Sequence, residues 1–358
     1  MKIVLVTGIY PPEIGGPATY VRFLAQEFTK SGHVVEVVTY AHKLNIENEK
    51  WNIHVIPFGL PILRWFAYAR KLKQVANDAD IVYAFSSVSC GIPLILAKLK
   101  MPKKVLRLGG DFFWERYTDR GGRKSLREWY EQRSWELSVG SWILNHVDHI
   151  VFSTRFQEEI YEKAYNQLPG HSVIENALTL SGSIQHHRKP HTPFRLLFMG
   201  RFVKFKNVES LIAAMVHIHD ATLTIVGEGP LDDRLRSLTE NLHLTGRIRF
   251  VGPVNGKDKE DIFAKHDLLV LPSLTEISPN TALEAKAAGL PVLLTHQHGL
   301  GDLSSGMIDS TLYNISDIVD GIAKARTMYV ANYSTLASRP WSQVASETVN
   351  LFATLLRL

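Results

Sequence analysis

Short β-branched runs alternate with helical patterns along the whole chain, and that alternation limits what it can become. In the first half the runs cover residues 2–7, 34–40, 53–57, 80–84, 104–108 and 149–153. Strand-helix-strand repetition of this kind specifies a parallel α/β sheet, because parallel neighbours need a long crossover and a helix is the usual way to make one. A polar stretch over 181–193, carrying Gly, His, Lys and Pro, reads as a linker. The pattern then restarts at 194–199, 221–226, 248–251, 267–271 and 291–295. The expectation is an α/β chain of two Rossmann-like, doubly wound parallel-sheet domains facing across a cleft, over 1–185 and 194–340. A last amphipathic segment, 341–358, is expected to pack back toward the first domain. Ligands of open α/β sheets bind outside the carboxyl ends of the strands, so any chemistry is expected there.

Composition agrees with two globular domains: 358 residues, 45% hydrophobic and 21% charged, which excludes a disordered or collagen-like chain. The single cysteine, Cys90, excludes an intrachain disulfide and any CxxC motif, and its apolar neighbours Ile92 and Leu94 make it a small buried residue rather than a nucleophile. Cysteine usage and the short apolar run at the amino end, too brief for a signal peptide, make the cytoplasm the default. The uncharged stretch 81–97 is broken by Ser86, Ser87, Ser89, Gly91 and Pro93, so it reads as strand, turn and helix rather than a membrane span.

The formal charge of +5 is unevenly placed. Residues 98–133 hold eleven Lys or Arg against five Asp or Glu, a local +6 that leaves −1 for the rest. A second cluster runs from Arg64 to Lys73 and mixes cations with Trp65, Phe66 and Tyr68. Two readings stand for it: a solvated helix with a packed inner face, or a helix resting on an anionic membrane surface. No zinc-finger spacing or aromatic RNA-binding signature accompanies the charge, so nucleic acid is not expected as a partner.

The most informative stretch is 267–291, which reads strand, loop, helix, stop. Ser278 suits an N-cap, Pro279 the first helical position, and Gly289 followed by Pro291 the end. A helix amino terminus, with the backbone N–H groups of Asn280 and Thr281, would then face a ligand and suit a phosphate. Glu276 precedes that terminus and Glu284 follows it within the helix, so two carboxylates bracket an anion site. A nucleoside diphosphate sugar matches that order, with a diphosphate between two polyhydroxyl rings. Arg201 and Lys206 follow the run 194–199, where the planar guanidinium and the point-charge ammonium could hold a departing diphosphate without a metal. A glycine loop with Gly15 and Gly16 follows the first strand, yet neither it nor Gly227-Glu228-Gly229 meets the GxGxxG dinucleotide fingerprint, which disfavours a nicotinamide enzyme.

These pieces, in order, resemble the family 4 glycosyltransferases of GT-B fold. The resemblance is carried by Pro11-Pro12 with Gly15-Gly16, Leu24-Ala25 through Ser31 to Val37, Gly200-Arg201 with Lys206, Gly227 to Pro230, Phe250 to Gly252, and Glu276 with Glu284-Ala285 and Gly289 to Val292. It implies retaining transfer of a sugar from a UDP- or GDP-linked donor to a glycan or lipid-linked acceptor, with no bound metal or cofactor. By position it implies Arg201 and Lys206 on the diphosphate, Glu276 on the transferred sugar and Glu284 on the ribose. Backbone at Gly15, Gly16, Asn280 and Thr281 would meet the phosphates, and main chain near Val254 the base. The chain departs from the family pattern at Gly109-Gly110-Asp111, where a histidine is usual. Asp111 is the expected substitute, contacting donor or acceptor hydroxyls. A second departure is Glu276-Ile277-Ser278-Pro279, because Pro279 lacks the N–H that a glycine would offer. Asp78-Ala79-Asp80 imitates a metal-binding DxD but precedes its strand, and His296 with His298 lacks a third ligand. A nucleotide-sugar epimerase of the same fold and a non-enzymatic nucleotide-sugar or polyanion binder are the alternative readings.

Overall fold

The computed structural model describes residues 1–13, 15–41, 49–57, 59–132, 134–178, 189–328 and 338–357. The chain divides into two compact units: Met1–Phe113 with Tyr130–Ala177 and Arg339–Leu358, and Trp114–Trp129 with Leu178–Ser338. The division differs from the boundaries drawn from sequence at 1–185 and 194–340: the segment Trp114–Trp129, which lies between two strands of the first sheet in sequence, belongs to the second unit, and that unit otherwise runs from Leu178 to Ser338. Of the expected linker, residues 181–188 lie outside the described residues.

The first unit holds seven parallel strands: β1 Lys2–Val6, β2 Val34–Tyr40, β3 Asn52–Ile56, β4 Ile81–Ala84, β5 Lys103–Leu108, β6 His149–Phe152 and β7 Gly170–Val173. Their spatial order is β3-β2-β1-β4-β5-β6-β7. In β1 every residue from Ile3 to Val6 is fully buried, as a strand covered on both faces by helices must be. Its helices are α1 Gly16–Lys30, α2 Pro61–Ala76, α3 Gly91–Leu96, α6 Trp135–Leu144 and α7 Arg155–Ala164, while α4 Phe112–Asp119 and α5 Leu126–Tyr130 fall almost wholly in the segment that joins the second unit. Because right-handed crossovers run one way from β1 to β2 and the other way from β3 onward, α1 covers one face of the sheet and α2, α3 and α6 the opposite face. There α2 packs on α3 and α3 on α6.

The second unit holds six parallel strands: β8 Phe194–Met199, β9 Ala221–Val226, β10 Ile248–Val251, β11 Leu268–Leu271, β12 Val292–Thr295 and β13 Ile308–Ser310, ordered β10-β9-β8-β11-β12-β13. Its helices are α8 Val208–Ala214, α9 Asp232–Asn241, α10 Gly256–Ala264, α11 Asn280–Ala287 and α12 Ile315–Thr327. The last helix, α13 Trp341–Leu356, returns to the first unit and packs on α1: Trp341 stacks on Phe23 at 4.9 Å and meets Tyr20 edge-on at 5.1 Å. Val344 and Phe352 of the same helix enter the core beside Ile3 and Leu5.

Each apolar run read from sequence matches a strand to within one residue at either end. The two strands that escaped, β7 and β13, are edge strands of four and three residues with polar members. Such segments carry too little apolar periodicity to register. In both sheets the winding reverses beside the first strand, between β1 and β4 and between β8 and β11. Those reversals are the topological switch points at which open sheets bind ligands.

Candidate functional site

At the switch point of the second sheet, β8 ends at Met199 and β11 at Leu271. The loop after β8 runs through Gly200 and Arg201 into a 3-10 turn, Lys204–Lys206. Its path is set by backbone pairing that continues past the strands: Gly200 N–H donates to Val226 O at 3.0 Å and Phe202 N–H to Glu228 O at 2.9 Å. Two glycines permit this approach. Gly227 lies at φ 140°, and a Cβ there would sit 2.0 Å from Gly200 O, while a Cβ on Gly229 would sit 2.6 Å from Phe202 N and O. Asn207, at φ 55°, closes the turn and donates its side-chain amide to Leu312 O at 3.0 Å.

The two loops meet through side chains. Lys206 Nζ lies 2.6 Å from Glu276 Oε1 and 2.9 Å from Oε2, and Ser273 Oγ donates to Oε1 at 2.5 Å. Glu276 is buried, with 4% of its surface exposed, so its charge depends on these partners rather than on water. Its backbone is held from the other side: Glu276 N–H donates to Gln297 O at 2.8 Å, and Gly299 N–H donates to Glu276 O at 2.9 Å. Glu276 thus sits where the loop after β11 and the loop after β12 pair briefly beyond the sheet. Arg201 is exposed and makes no ion pair or side-chain hydrogen bond with any described residue. Of the four charged groups expected at the anion site, the structure brings Lys206 and Glu276 together and leaves Arg201 exposed. Glu284 pairs with Lys259 of α10.

The expected helix cap is corrected. The helix α11 starts at Asn280, with Pro279 in the N-cap position at φ −80°, ψ 77°. That ψ lies outside the helical region, so the helix begins one residue late and Ser278 stands too far back to cap it. The Ser278 hydroxyl lies 3.4 Å from Asn280 Oδ1 instead. The cradle of free amides is also smaller than expected. Asn280 N–H donates to Ser278 O at 3.0 Å and Ala282 N–H to Pro279 O at 3.0 Å, which leaves Thr281 N–H as the first-turn amide without a described acceptor. Val254 lies in the loop after β10, half-buried against the core of the unit.

In the first unit Gly15 is the N-cap of α1 and Gly16 its first residue. A Cβ on Gly15 would lie 2.5 Å from Ile9 Cδ1, while one on Gly16 would meet open space. Asp111 requires a second correction. It was expected to reach substrate hydroxyls, but it is 2% exposed, and its Oδ2 accepts from the hydroxyls of Tyr130 and Tyr161, at 2.6 Å each. Burial, with Asp111 beside them, pushes both phenols well above their ordinary pKa, so they remain donors.

Other polar motifs are structural. Asp80 accepts the Lys2 N–H at 2.7 Å and Asp78 binds Lys2 Nζ at 2.5 Å, at the amino ends of β1 and β4. His298 pairs with Asp309 at 3.2 Å and accepts the Leu300 N–H. Among the described residues no three His, Cys, Asp or Glu side chains gather as metal ligands, and no helix is long and apolar enough to cross a membrane. Residues that sequence reasoning missed include Ser273 and Lys259, the partners of the two glutamates. Ser273 lies three residues from Glu276 and a turn motif could have flagged it, whereas Lys259 is 25 residues from Glu284 and only folding joins them.

Two family models match the chain: glycosyltransferase family 4 over residues 14–181 and glycosyl transferases group 1 over 183–306. An uncharacterized glycosyltransferase of Methanocaldococcus jannaschii is 27% identical, with 98% of both chains covered. An alpha-monoglucosyldiacylglycerol synthase of Streptococcus pneumoniae is 24% identical over 91% of this chain and 78% of its own. Among solved structures, sucrose-phosphate synthase from Thermosynechococcus elongatus superposes with a TM-score of 0.79 at 18% identity, covering 100% of both chains. The Anabaena protein HepE in complex with UDP-glucose superposes at 0.70 and 16% identity, covering 100% of this chain and 98% of that one.

Proposed function

The chain belongs to the family 4 glycosyltransferases, and from that premise we propose that it moves a sugar, with retention of anomeric configuration, from a UDP- or GDP-linked donor to a glycan or lipid-linked acceptor. The observation that carries this reading is the Lys206–Glu276 pair at the switch-point ends of β8 and β11. An ammonium held against a buried carboxylate offers a cation for phosphate oxygens and an acceptor for sugar hydroxyls a few ångströms apart. Arg201, exposed and unpaired among the described residues, is the second cation for the diphosphate. Glu284 takes the ribose, the Thr281 amide with the start of α11 takes a phosphate oxygen, and main chain near Val254 takes the base. Gly15 and Gly16 offer backbone to the phosphates. A solved neighbour in complex with UDP-glucose supports the donor class.

In the transfer step the bond from the anomeric carbon to the diphosphate oxygen breaks, and its electron pair leaves with the diphosphate. The acceptor oxygen attacks on the same face, and its proton passes to the departing phosphate oxygen. Arg201 and Lys206 stabilise the charge that develops there, which requires no metal.

The acceptor side is proposed to meet an anionic membrane from the cytoplasmic side. Helix α2 contains no acidic residue, and its exposed face runs from Ile62, Leu63 and Phe66, at 63%, 65% and 58% exposure, to Arg70 and Lys73. Exposed Trp135 and Trp142 lie on α6 in the same helical layer. An apolar stripe beside cations suits a lipid interface.

A thermal-shift panel of UDP, GDP and ADP with their sugar conjugates tests the donor. Ligand at a hundredfold excess over its dissociation constant stabilises by about 2.7 kcal/mol. One nucleotide should stabilise the protein in a Glu284-dependent way, with a further sugar-dependent increment that Glu276→Ala removes. Equal stabilisation by inorganic polyphosphate would make the protein a plain anion binder, and turnover without acceptor would make it an epimerase. Cosedimentation with phosphatidylglycerol vesicles, lost in Leu63→Glu/Phe66→Glu, tests the membrane surface. Equal binding by that variant would refute it.

A further inference from the structure

The segment between β5 and β6 leaves the first unit at Trp114 and rejoins it at Tyr130. Within the first unit its base is drawn together, because Asp111, just before the departure, accepts a hydrogen bond from Tyr130 at the return. Within the second unit the excursion contacts two chain neighbours of the Lys206–Glu276 pair and shares a hydrogen-bond acceptor with a third. The Trp114 ring, 1% exposed, lies 5.1 Å from that of Phe205, the residue before Lys206. Leu126 N–H donates at 2.9 Å to Oγ1 of Thr275, the residue before Glu276. The Arg123 guanidinium donates to Tyr313 O, a carbonyl that the side-chain amide of Asn207, the residue after Lys206, also meets at 3.4 Å. Leu274 N–H donates to Phe205 O at 2.8 Å and ties the two loops to each other. The excursion is braced internally by Trp114 Nε1 donating to Lys124 O at 2.9 Å.

Both charged residues sit on loops rather than inside strands or long helices, where side-chain placement is ordinarily loose. We propose that Trp114–Trp129 is a positioning element for the Lys206–Glu276 pair, with Trp114 and Thr275 as the positioning residues on its two sides. This inference rests on the reading that the pair engages the sugar diphosphate. An ångström of displacement at such a pair costs turnover steeply, and the excursion removes that freedom by touching the residue next to each charged group.

Hydrogen exchange on the full chain reads the placement without needing a substrate. In Trp114→Ala and in Thr275→Val, amides over 203–207 and 273–277 should exchange about tenfold faster, with β9 and β10 unchanged. Trp114→Phe and Thr275→Ser should restore protection. Wild-type protection in those two peptides, or equal loosening of β9 and β10, would overturn the proposal. With whichever nucleotide sugar the wild type turns over, Thr275→Val should lower kcat about tenfold in the otherwise wild-type chain and less than about twofold when added to Glu276→Gln. Additive losses would overturn the link to the pair. If the wild type turns over no donor, the functional reading fails while the exchange result still decides the positioning.

Discussion

Lys206 holds Glu276 across the switch point of the second sheet, its ammonium 2.6 and 2.9 Å from the two carboxylate oxygens. Side-chain exposures of 18% and 5% make the carboxylate the more dependent partner. Removing the cation strands a buried anion, whereas neutralising the anion leaves a cation that can reach water. Lys206→Met should therefore cost more stability in urea unfolding, about 3 kcal/mol, than Glu276→Gln, whose amide oxygen can still accept from Ser273. The reverse ranking would mean that the ammonium does not carry the carboxylate. Both variants should lower kcat by about a hundredfold.

Gly227→Ala should fail to accumulate as folded protein or lose about 3 kcal/mol, because φ of 140° and a contact of 2.0 Å with Gly200 O both oppose a side chain. Gly246→Ala, with open space around the new methyl, is the control. Comparable midpoints for the two in thermal unfolding would show that the loop after β8 relaxes freely.

Sugar transfer should persist in excess EDTA, since Arg201 and Lys206 are assigned the charge that a metal carries in other transferases. Loss of turnover in chelator, restored by added magnesium or manganese, would reassign the leaving-group role.

Acid stability should carry the signature of His149. Burial lowers its pKa to about 4, with His171 adding a smaller push in the same direction, and Ser172 Oγ lies 3.0 Å from its Nε2. The unfolded chain binds a proton at this ring near pH 6.5, the folded chain only near 4, so stability contributed by the neutral ring is lost as pH falls through that window. His171 works oppositely, since the Pro169 carbonyl and the Glu162 and Glu158 carboxylates outweigh its burial and raise its pKa. His149→Asn removes only the first contribution, so its Tm should fall less steeply between pH 6.5 and 4.5. Parallel curves for variant and wild type would exclude His149 as the source.

Cys90 should be inert in the native state and titrate fully in guanidinium. It is fully buried, and burial pushes its thiol up to about 12. Native labelling within minutes by an aromatic disulfide reagent would mean that the start of α3 opens readily.

Much of the site was legible because it is written locally. Lys206 and Glu276 each follow an apolar run at a fixed short distance, so recognising β8 and β11 as strands already placed both at carboxyl ends. The cap at Ser278 was misread because N-cap chemistry depends on one ψ angle, and Pro279 adopts 77° there. Asp111 was misread because its position beside β5 says nothing of Tyr161, fifty residues on, whose hydroxyl claims it.

By itself the sequence determined the alternation of strands and helices, the parallel sheets that follow, and the residues offered at their ends, since apolar period and turn chemistry act over a few residues at a time. Only the tertiary structure decided which charges pair, that Trp114–Trp129 joins the second unit, and that Asp111 is enclosed. Those outcomes rest on contacts between residues far apart in the chain, and their energies exist only once the backbone has brought the partners together.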